Sequence, residues 1–541
     1  MLSPGRFAHL AGNQFSSSKS ASFPRSFHSV VPRQGQAGLA ESPGYDEKAR
    51  QYEISQEIRS PTPDAQAPNI SSSDLSASVL VSAIASKAPD SAVIETRLLE
   101  KIIPLHHRGS KFDKEPYWQK IGRWKDVTQK QFLSHRWNIA KNIQGSGGLF
   151  KFLNEVLPDT FPESENYKGI ATRETFIEDV IQGIKEAPMS IRLTPHILSM
   201  IDWNNPLEDP MRRQFIPMKS TFLPDHPKLT LDSLHETEDS PAPGLVHRYP
   251  EKVLFLATSV CGLYCRYCTR SYAVGGNTET VTKTSYKPIK ARWEEALAYI
   301  ASNPVIQDVV VSGGDSYYLL PDQLRFIGDR LLAIPHIRRF RIATKGLCVS
   351  PSRTLDPEDS WTDELVRLSK KGREMGKQVA VHTHFNHPRE FSWVSREAAQ
   401  KLFAAGVIVR NQSVLLKGVN DNLETMSALI RELADNNIQP CDMVSGVEDL
   451  RTPLKTILDL EQQIRGSIAG FMMPSFVVDL PGGGGKRLAA SYEKYDRKTG
   501  VSTFVAPAVT GRGKEDKVYE YYDPLAFCEG GEGETDGGGK S

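Results

Sequence analysis

From Lys252 onward, short apolar runs alternate with longer amphipathic stretches. The apolar runs predict strands at 253–258, 306–312, 339–344, 378–384 and 407–415, with a weaker sixth at 441–444. Between them apolar residues recur at helical spacing. Trp293, Leu297 and Ile300 share one face, as do Leu324, Ile327 and Leu331, and then Met426, Leu429 and Leu433. Repeated strand–helix order predicts an α/β fold, a parallel sheet covered by helices. Six units are too few for a closed eightfold barrel, so the expected architecture is an incomplete (β/α)6-type barrel spanning 246–475. In such barrels chemistry gathers at the C-terminal ends of the strands.

Upstream, the aromatic and aliphatic positions Tyr117, Trp118, Trp124, Trp137 and Leu149 follow helical intervals, giving an N-terminal helical region over 113–245. Thr194-Pro195 reads as an N-cap followed by a proline in the first turn of a short helix. Downstream, 476–515 carries a strand, a glycine-rich loop and a C-terminal segment. The glycine-rich stretch 516–541 reads as a disordered tail.

Charge adds little direction. Lys and Arg (66) nearly balance Asp and Glu (65), which points to neither nucleic acid nor an anionic membrane. No apolar run approaches the ~18 residues that span a bilayer. The first forty residues contain no acid but carry Arg6, Lys19, Arg25 and Arg33 among many serines. That composition suits a transit peptide over 1–40 and a mitochondrial matrix protein, with a cytoplasmic one as the alternative. Residues 41–112, rich in Ser, Pro and Ala, read as a disordered linker.

The most specific chemistry lies just after the first strand. Cys261, Cys265 and Cys268 are spaced C-x3-C-x2-C. Thiolates are soft ligands for iron–sulfur clusters or zinc. Three on one loop can hold three irons of a cubane and leave the fourth open; a structural zinc site usually takes four ligands in two pairs. Cys348, Cys441 and Cys528 form no second pair. The second stretch is Asp479-Leu480-Pro481 followed by Gly482 to Gly485 and then Lys486-Arg487. It lacks the spacing and the Ser or Thr of a phosphate-binding P-loop. A flexible turn, or a lysine that carries pyridoxal phosphate, both remain open on those residues.

Taken together, the cysteine loop, the glycine-rich loop and several further runs resemble the lysine 2,3-aminomutase family of radical S-adenosylmethionine enzymes, over about 117–510. The further runs are Leu193-Thr194-Pro195, 237–245 with His247-Arg248-Tyr249-Pro250, Ser312-Gly313-Gly314-Asp315, Thr383-His384-Phe385-Asn386-His387-Pro388, 411–416 and Arg451-Thr452-Pro453. The resemblance implies an isomerase that interconverts L-lysine and L-β-lysine by 1,2-amino migration, using a 4Fe-4S cluster, S-adenosyl-L-methionine and pyridoxal 5′-phosphate. It implies Cys261, Cys265 and Cys268 as cluster ligands and Lys486 as the lysine that binds pyridoxal phosphate, beside Arg248 and Tyr249. Ser312, Gly313, Gly314, Asp315, His384 and Gln412 would meet S-adenosylmethionine. Arg270 would hold the substrate carboxylate, and Asp442 and Asp479 its distal ammonium. The implied partners are a small-molecule substrate and an electron donor for the cluster.

The chain departs from the family in three places. About five apolar and aromatic residues are missing between Pro440 and Cys441. Thr344-Lys345-Gly346 stands where the family has Thr-Arg and then a proline. The C-terminal cysteine cluster of the bacterial interface zinc is absent, Cys528 alone remaining and Asn422 standing for its partner, so a homo-oligomer would be built differently. Two other readings stay open on sequence: an aminomutase acting on a protein-attached residue, and a non-catalytic descendant kept as a binding protein.

Overall fold

The computed structural model describes residues 114–223, 226–445, 450–506 and 516–528. The expected transit peptide, the linker and the tail beyond Cys528 lie outside them. Nine strands make one sheet with neighbours in chain order. They are β1 (Leu245–Tyr249), β2 (Lys252–Thr258), β3 (Asp308–Gly313), β4 (Arg339–Ala343), β5 (Gln378–Thr383), β6 (Ile408–Leu415), β7 (Ile438–Ser445), β8 (Ser475–Leu480) and β9 (Gly485–Leu488). Strands β2 to β8 run parallel, and β1 and β9 are antiparallel edges. The partial barrel therefore holds seven parallel strands, one more than the apolar runs between helices indicated. The additional strand is β8. It leads into glycines rather than a helix, so it breaks the strand–helix rhythm that revealed the others.

Helices Lys290–Ser302, Pro321–Ala333, Trp361–Glu374, Trp393–Ala404, Leu423–Asp435 and Leu454–Ile464 supply the six crossovers between parallel strands. Alternation along each strand splits the side chains between two environments. Val309 and Val311 of β3, Phe340 and Ile342 of β4 and Val379 and Val381 of β5 are buried under the helices. Each such burial contributes about 1.5–3 kcal/mol. The opposite phase faces the barrel interior, and that is where the polar residues lie.

Two features shape that interior. In β7, Asn411 of β6 pairs with Pro440 and Gln412 with Asp442, so Cys441 is an extra, bulged residue. Pro440 cannot donate to the ladder, and a bulge beside it re-aims the following side chain. Despite its missing residues the strand forms and presents Asp442 inward. At the edges, the Tyr249 hydroxyl of β1 accepts the Lys486 backbone N–H of β9 at 2.9 Å, which draws the two open rims toward each other.

The N-terminal helices pack on the barrel through one continuous apolar core. Trp118 stacks on Phe132 with ring centroids 4.2 Å apart. Thr194 caps helix Pro195–Met200 by accepting from the Ile197 amide, and its hydroxyl donates to the Val349 carbonyl at 2.5 Å. A three-stranded antiparallel sheet (Lys494–Asp496, Val501–Val505, Val518–Tyr522) follows β9. Its last strand corrects the expectation of a disordered tail from 516, because pairing with Val501–Val505 lets Tyr519, Tyr521 and Tyr522 be buried. Among the described residues no helix is long and apolar enough to cross a membrane.

Candidate active site

Every site residue proposed from the sequence lines one cavity of about 410 Å³ inside the barrel. The cysteine loop forms part of its wall. It follows β2 directly and is tied to the N-terminal region, the Tyr264 amide donating to the Arg192 carbonyl and the Arg266 amide to the Gln214 carbonyl. The Ser312–Asp315 turn lies against it backbone to backbone, the Gly314 amide donating to Thr258 O at 2.6 Å and the Asp315 amide to Val260 O at 2.9 Å. That approach needs glycine. Gly313 sits at φ 118°, and a Cβ there would meet the Thr258 carbonyl oxygen at 2.1 Å. Asp315 is used internally: its carboxylate accepts the Tyr317 and Lys345 amides at 2.8 and 3.0 Å.

Burial pushes all three loop thiols upward, Cys265 to about 12, with Cys261 raised further by the Asp315 charge. Desolvated, half-buried thiols of this kind become thiolates when a cation joins them. Among the described residues no three His, Cys, Asp or Glu side chains converge as the ligands of a single metal ion.

Lys486 enters the same cavity from β9. Its Nζ donates to Gln412 Oε1 at 2.9 Å and lies 3.5 Å from Asp442 Oδ2. Gly485 before it has φ 76°, and a Cβ would strike the Tyr249 hydroxyl at 2.7 Å. The glycine therefore lets the lysine strand press against β1. Asp479 stands opposite Lys486 in the β8–β9 ladder, and its Oδ1 is buried without a hydrogen-bond partner. The Lys252 ammonium rests over the Tyr249 ring, 4.1 Å from its centroid.

Three proposed ligand contacts already have protein partners. Arg248 Nε donates to Asp239 Oδ2 at 2.8 Å. Arg270 gives two hydrogen bonds to Glu236. His384 is neutral, burial and the Lys345 charge holding its pKa well below the usual range. Its Nδ1–H donates to the Gln412 carbonyl at 2.5 Å, leaving Nε2 to face the Tyr267 hydroxyl at 3.1 Å.

The cavity also holds residues that the sequence reading did not select: Glu236, Lys252, Arg341 and His382. Strand phase was the available signal. Lys252 opens β2, and Arg341 and His382 share the inward phase of Ala343 and His384. Glu236 lies on a loop, where no periodicity marks it.

No model of a known protein family matches the chain. The L-lysine 2,3-aminomutase of Clostridium subterminale is 37% identical over 368 residues, covering 67% of this chain and 79% of that protein. The chain belongs to the lysine 2,3-aminomutase family. The L-lysine 2,3-aminomutase of Bacillus subtilis is 35% identical over 377 residues, 68% of this chain and 71% of that protein. The glutamate 2,3-aminomutase of Clostridioides difficile is 30% identical over 378 residues, 68% and 79% of the two chains. Membership makes the protein an isomerase of the radical S-adenosylmethionine class and implies a 4Fe-4S cluster, S-adenosylmethionine and pyridoxal phosphate.

The residues present fit these groups. Three half-buried thiols on one loop form a soft donor set that leaves one corner of a cubane without protein. A primary amine on a glycine-bordered strand, with the cations Arg248 and Lys252 on the same cavity wall, suits a phosphorylated aldehyde. The orphaned Asp479 oxygen calls for a donor from whatever enters.

Proposed function

We propose that this aminomutase interconverts L-lysine and L-β-lysine, with the residues in the roles set out from the sequence. The observation that carries the reading is the shared cavity: Lys486, Asp442, Asp479 and the three cysteines all line it. Had Lys486 opened on the opposite barrel mouth, the two cofactors could not cooperate. When bound, the cluster with S-adenosylmethionine supplies the hydrogen-abstracting radical, and pyridoxal phosphate supplies the carbonyl that carries the migrating amine. Everything else falls to the chain. Arg270 receives the substrate carboxylate. Asp442 and Asp479 receive the distal ammonium and repel a side-chain carboxylate, which selects lysine over glutamate. Arg248 and Lys252 supply positive charge for a phosphate and Tyr249 an aromatic face. Gln412 orients the Lys486 amine. The packed helices and the N-terminal region enclose most of the interior, which limits the access of water to a reactive intermediate.

The similarity to a glutamate aminomutase makes the far end of the substrate the point to test. The protein is reconstituted anaerobically with iron, sulfide and pyridoxal phosphate, then given S-adenosylmethionine, a reductant and L-lysine or L-glutamate. The expected product is β-lysine. Turnover of L-glutamate alone would overturn the lysine assignment. Absence of both cluster and pyridoxal absorbance would support a non-catalytic descendant. We further propose the mitochondrial matrix as its location, on the acid-free, Arg- and Ser-rich residues 1–40. Failure of isolated mitochondria to import and cleave the full chain would refute that.

A further inference from the structure

We propose that Glu236 is a positioning residue that sets the angle at which Arg270 meets the substrate carboxylate, an inference that rests on Arg270 being that carboxylate's receptor. Glu236 Oε2 accepts from Arg270 Nε at 2.9 Å, and Oε1 accepts from Nη2 at 2.8 Å. The Tyr272 hydroxyl donates to the same Oε2 at 2.9 Å. The Glu236 side chain is 5% exposed, yet both it and Arg270 lie on the cavity wall. The loop is built to place it there. Asp232 accepts the Glu236 and Thr237 amides at 3.0 Å, and His235 immediately before holds φ 52°, a left-handed conformation uncommon outside glycine.

A guanidinium offers a carboxylate two bidentate edges, one from Nε and Nη2 and one from Nη1 and Nη2. Glu236 occupies the first, so a substrate carboxylate is left the second. Because the group is planar and delocalised, fixing one edge fixes the plane of the other. The α-carbon of the substrate is then held at one distance and one facing, and only one enantiomer can direct its amine toward Lys486 and its distal ammonium toward Asp442 and Asp479 at the same time. Without Glu236 the arginine keeps its charge, and its attraction for the carboxylate with it, but loses that orientation. Glu236 therefore acts on selectivity and turnover more than on affinity.

The test uses the full chain reconstituted with iron, sulfide and pyridoxal phosphate. L-lysine, D-lysine and L-lysinamide are titrated while the pyridoxal absorbance is followed. In Glu236→Gln the ratio of D- to L-lysine Kd should fall by about tenfold. Iron and pyridoxal contents should hold, and the L-lysinamide Kd should stay within about twofold, since the amide carries no charge for the fork to read. With L-lysine, kcat should fall by roughly ten- to a hundredfold. Tyr272→Phe removes one of the three donors to Glu236 and should shift the ratio the same way by less, which keeps the inference testable if the glutamine variant folds poorly. An unchanged ratio in both variants, or a lysinamide Kd that moves as far as that of lysine, would overturn it. Arg270→Lys leaving L-lysine binding untouched would instead remove the premise about Arg270. A wild-type protein that binds lysinamide but not L-lysine would sink the lysine assignment itself.

Discussion

Two cation–carboxylate pairs stand on the wall of one cavity, and they are built differently. Arg270 and Glu236 share two hydrogen bonds of 2.8 and 2.9 Å, with the carboxylate side chain 5% exposed. Lys486 and Asp442 make one contact at 3.5 Å, and their side chains are 29% and 26% exposed. A buried bidentate pair fixes geometry and resists exchange of partners. A long, half-open pair commits neither group, so the amine can leave its carboxylate with little loss. In the proposed function the arginine is thus held in place for recognition, and the lysine is kept available for chemistry.

The strongest way to break this contrast is to remove the available amine. Lys486→Ala should reduce β-lysine formation by at least about 10⁴-fold, since a covalent group has no substitute in the cavity. Lys486→Arg should fail equally, because the charge is retained and the nucleophile is not. Both variants should keep their iron, measured alongside activity. If Lys486→Arg retained turnover, the lysine would be an electrostatic residue like Arg270, and the distinction would disappear.

The next largest effect lies at the carboxylates. Asp442→Asn or Asp479→Asn should weaken L-lysine binding by roughly ten- to a hundredfold, read from pyridoxal absorbance titrations. L-norleucine, which lacks the distal ammonium, should be nearly indifferent to either change. A loss of the same size for norleucine would assign these aspartates to the scaffold.

How far this site could be read from sequence differs by residue. The three cysteines and Lys486 announce themselves by spacing and by neighbouring glycines, because close backbone approach leaves a local trace. The parallel strands from β2 to β7 were legible because apolar residues recur with the strand and helix periods. Strand β8 was legible only as a strand, since no helix follows it. Lys252, Arg341 and His382 were passed over because an inward polar residue on a barrel strand looks like any strand polar residue until the curvature of the sheet is known. Glu236 is harder still: what distinguishes it is the Arg270 fork, which lies 34 residues away in sequence. The bulge at Cys441 restored Asp442 to the cavity by a backbone rearrangement that no residue pattern encodes.

A pH experiment sharpens the contrast from the side of an unpaired group. His382 lines the cavity near Lys486 with its Nε2 buried and unpartnered. Burial first, and then the Arg341 charge, bring its pKa down to about 3, with Arg410 and Lys486 acting the same way and Asp442 opposing them. The unfolded chain takes up this proton near pH 6.5 and the folded one does not. Its contribution to stability is therefore constant above pH 6.5 and is lost as the pH falls from there toward 3, at about 1.4 kcal/mol per pH unit. Urea unfolding of the full chain should show about 2 kcal/mol of this loss between pH 6.5 and pH 5, and His382→Asn should remove that share. An unchanged pH profile in the variant would mean that His382 takes up its proton as readily in the fold as in the unfolded chain, which would put another cation beside Lys486 below about pH 6.5.

The smallest expected effect concerns the bond that keeps Lys486 aimed. Gln412 performs two tasks from one position on β6: its side-chain oxygen accepts from Lys486 Nζ at 2.9 Å, and its main-chain carbonyl accepts from His384 Nδ1 at 2.5 Å. Gln412→Ala removes only the first, so the imidazole should keep its orientation while the amine loses its one short hydrogen bond. A hydrogen bond to a charged group contributes about 1.5–3 kcal/mol; it stabilises the free amine, water entering the half-open site recovers part of its loss, and pyridoxal phosphate affinity should rise by up to about tenfold. Gln412→Glu should tighten the amine's hold and slow its reaction with the aldehyde, since a carboxylate at 2.9 Å would give Lys486 the committed partner that Asp442 at 3.5 Å does not. Fluorescence titration of pyridoxal phosphate and stopped-flow absorbance measure the two effects separately. If Gln412→Glu reacted as fast as the wild type, the looseness of the Lys486 pair would have no bearing on its reactivity, and its contrast with the arginine fork would describe packing alone.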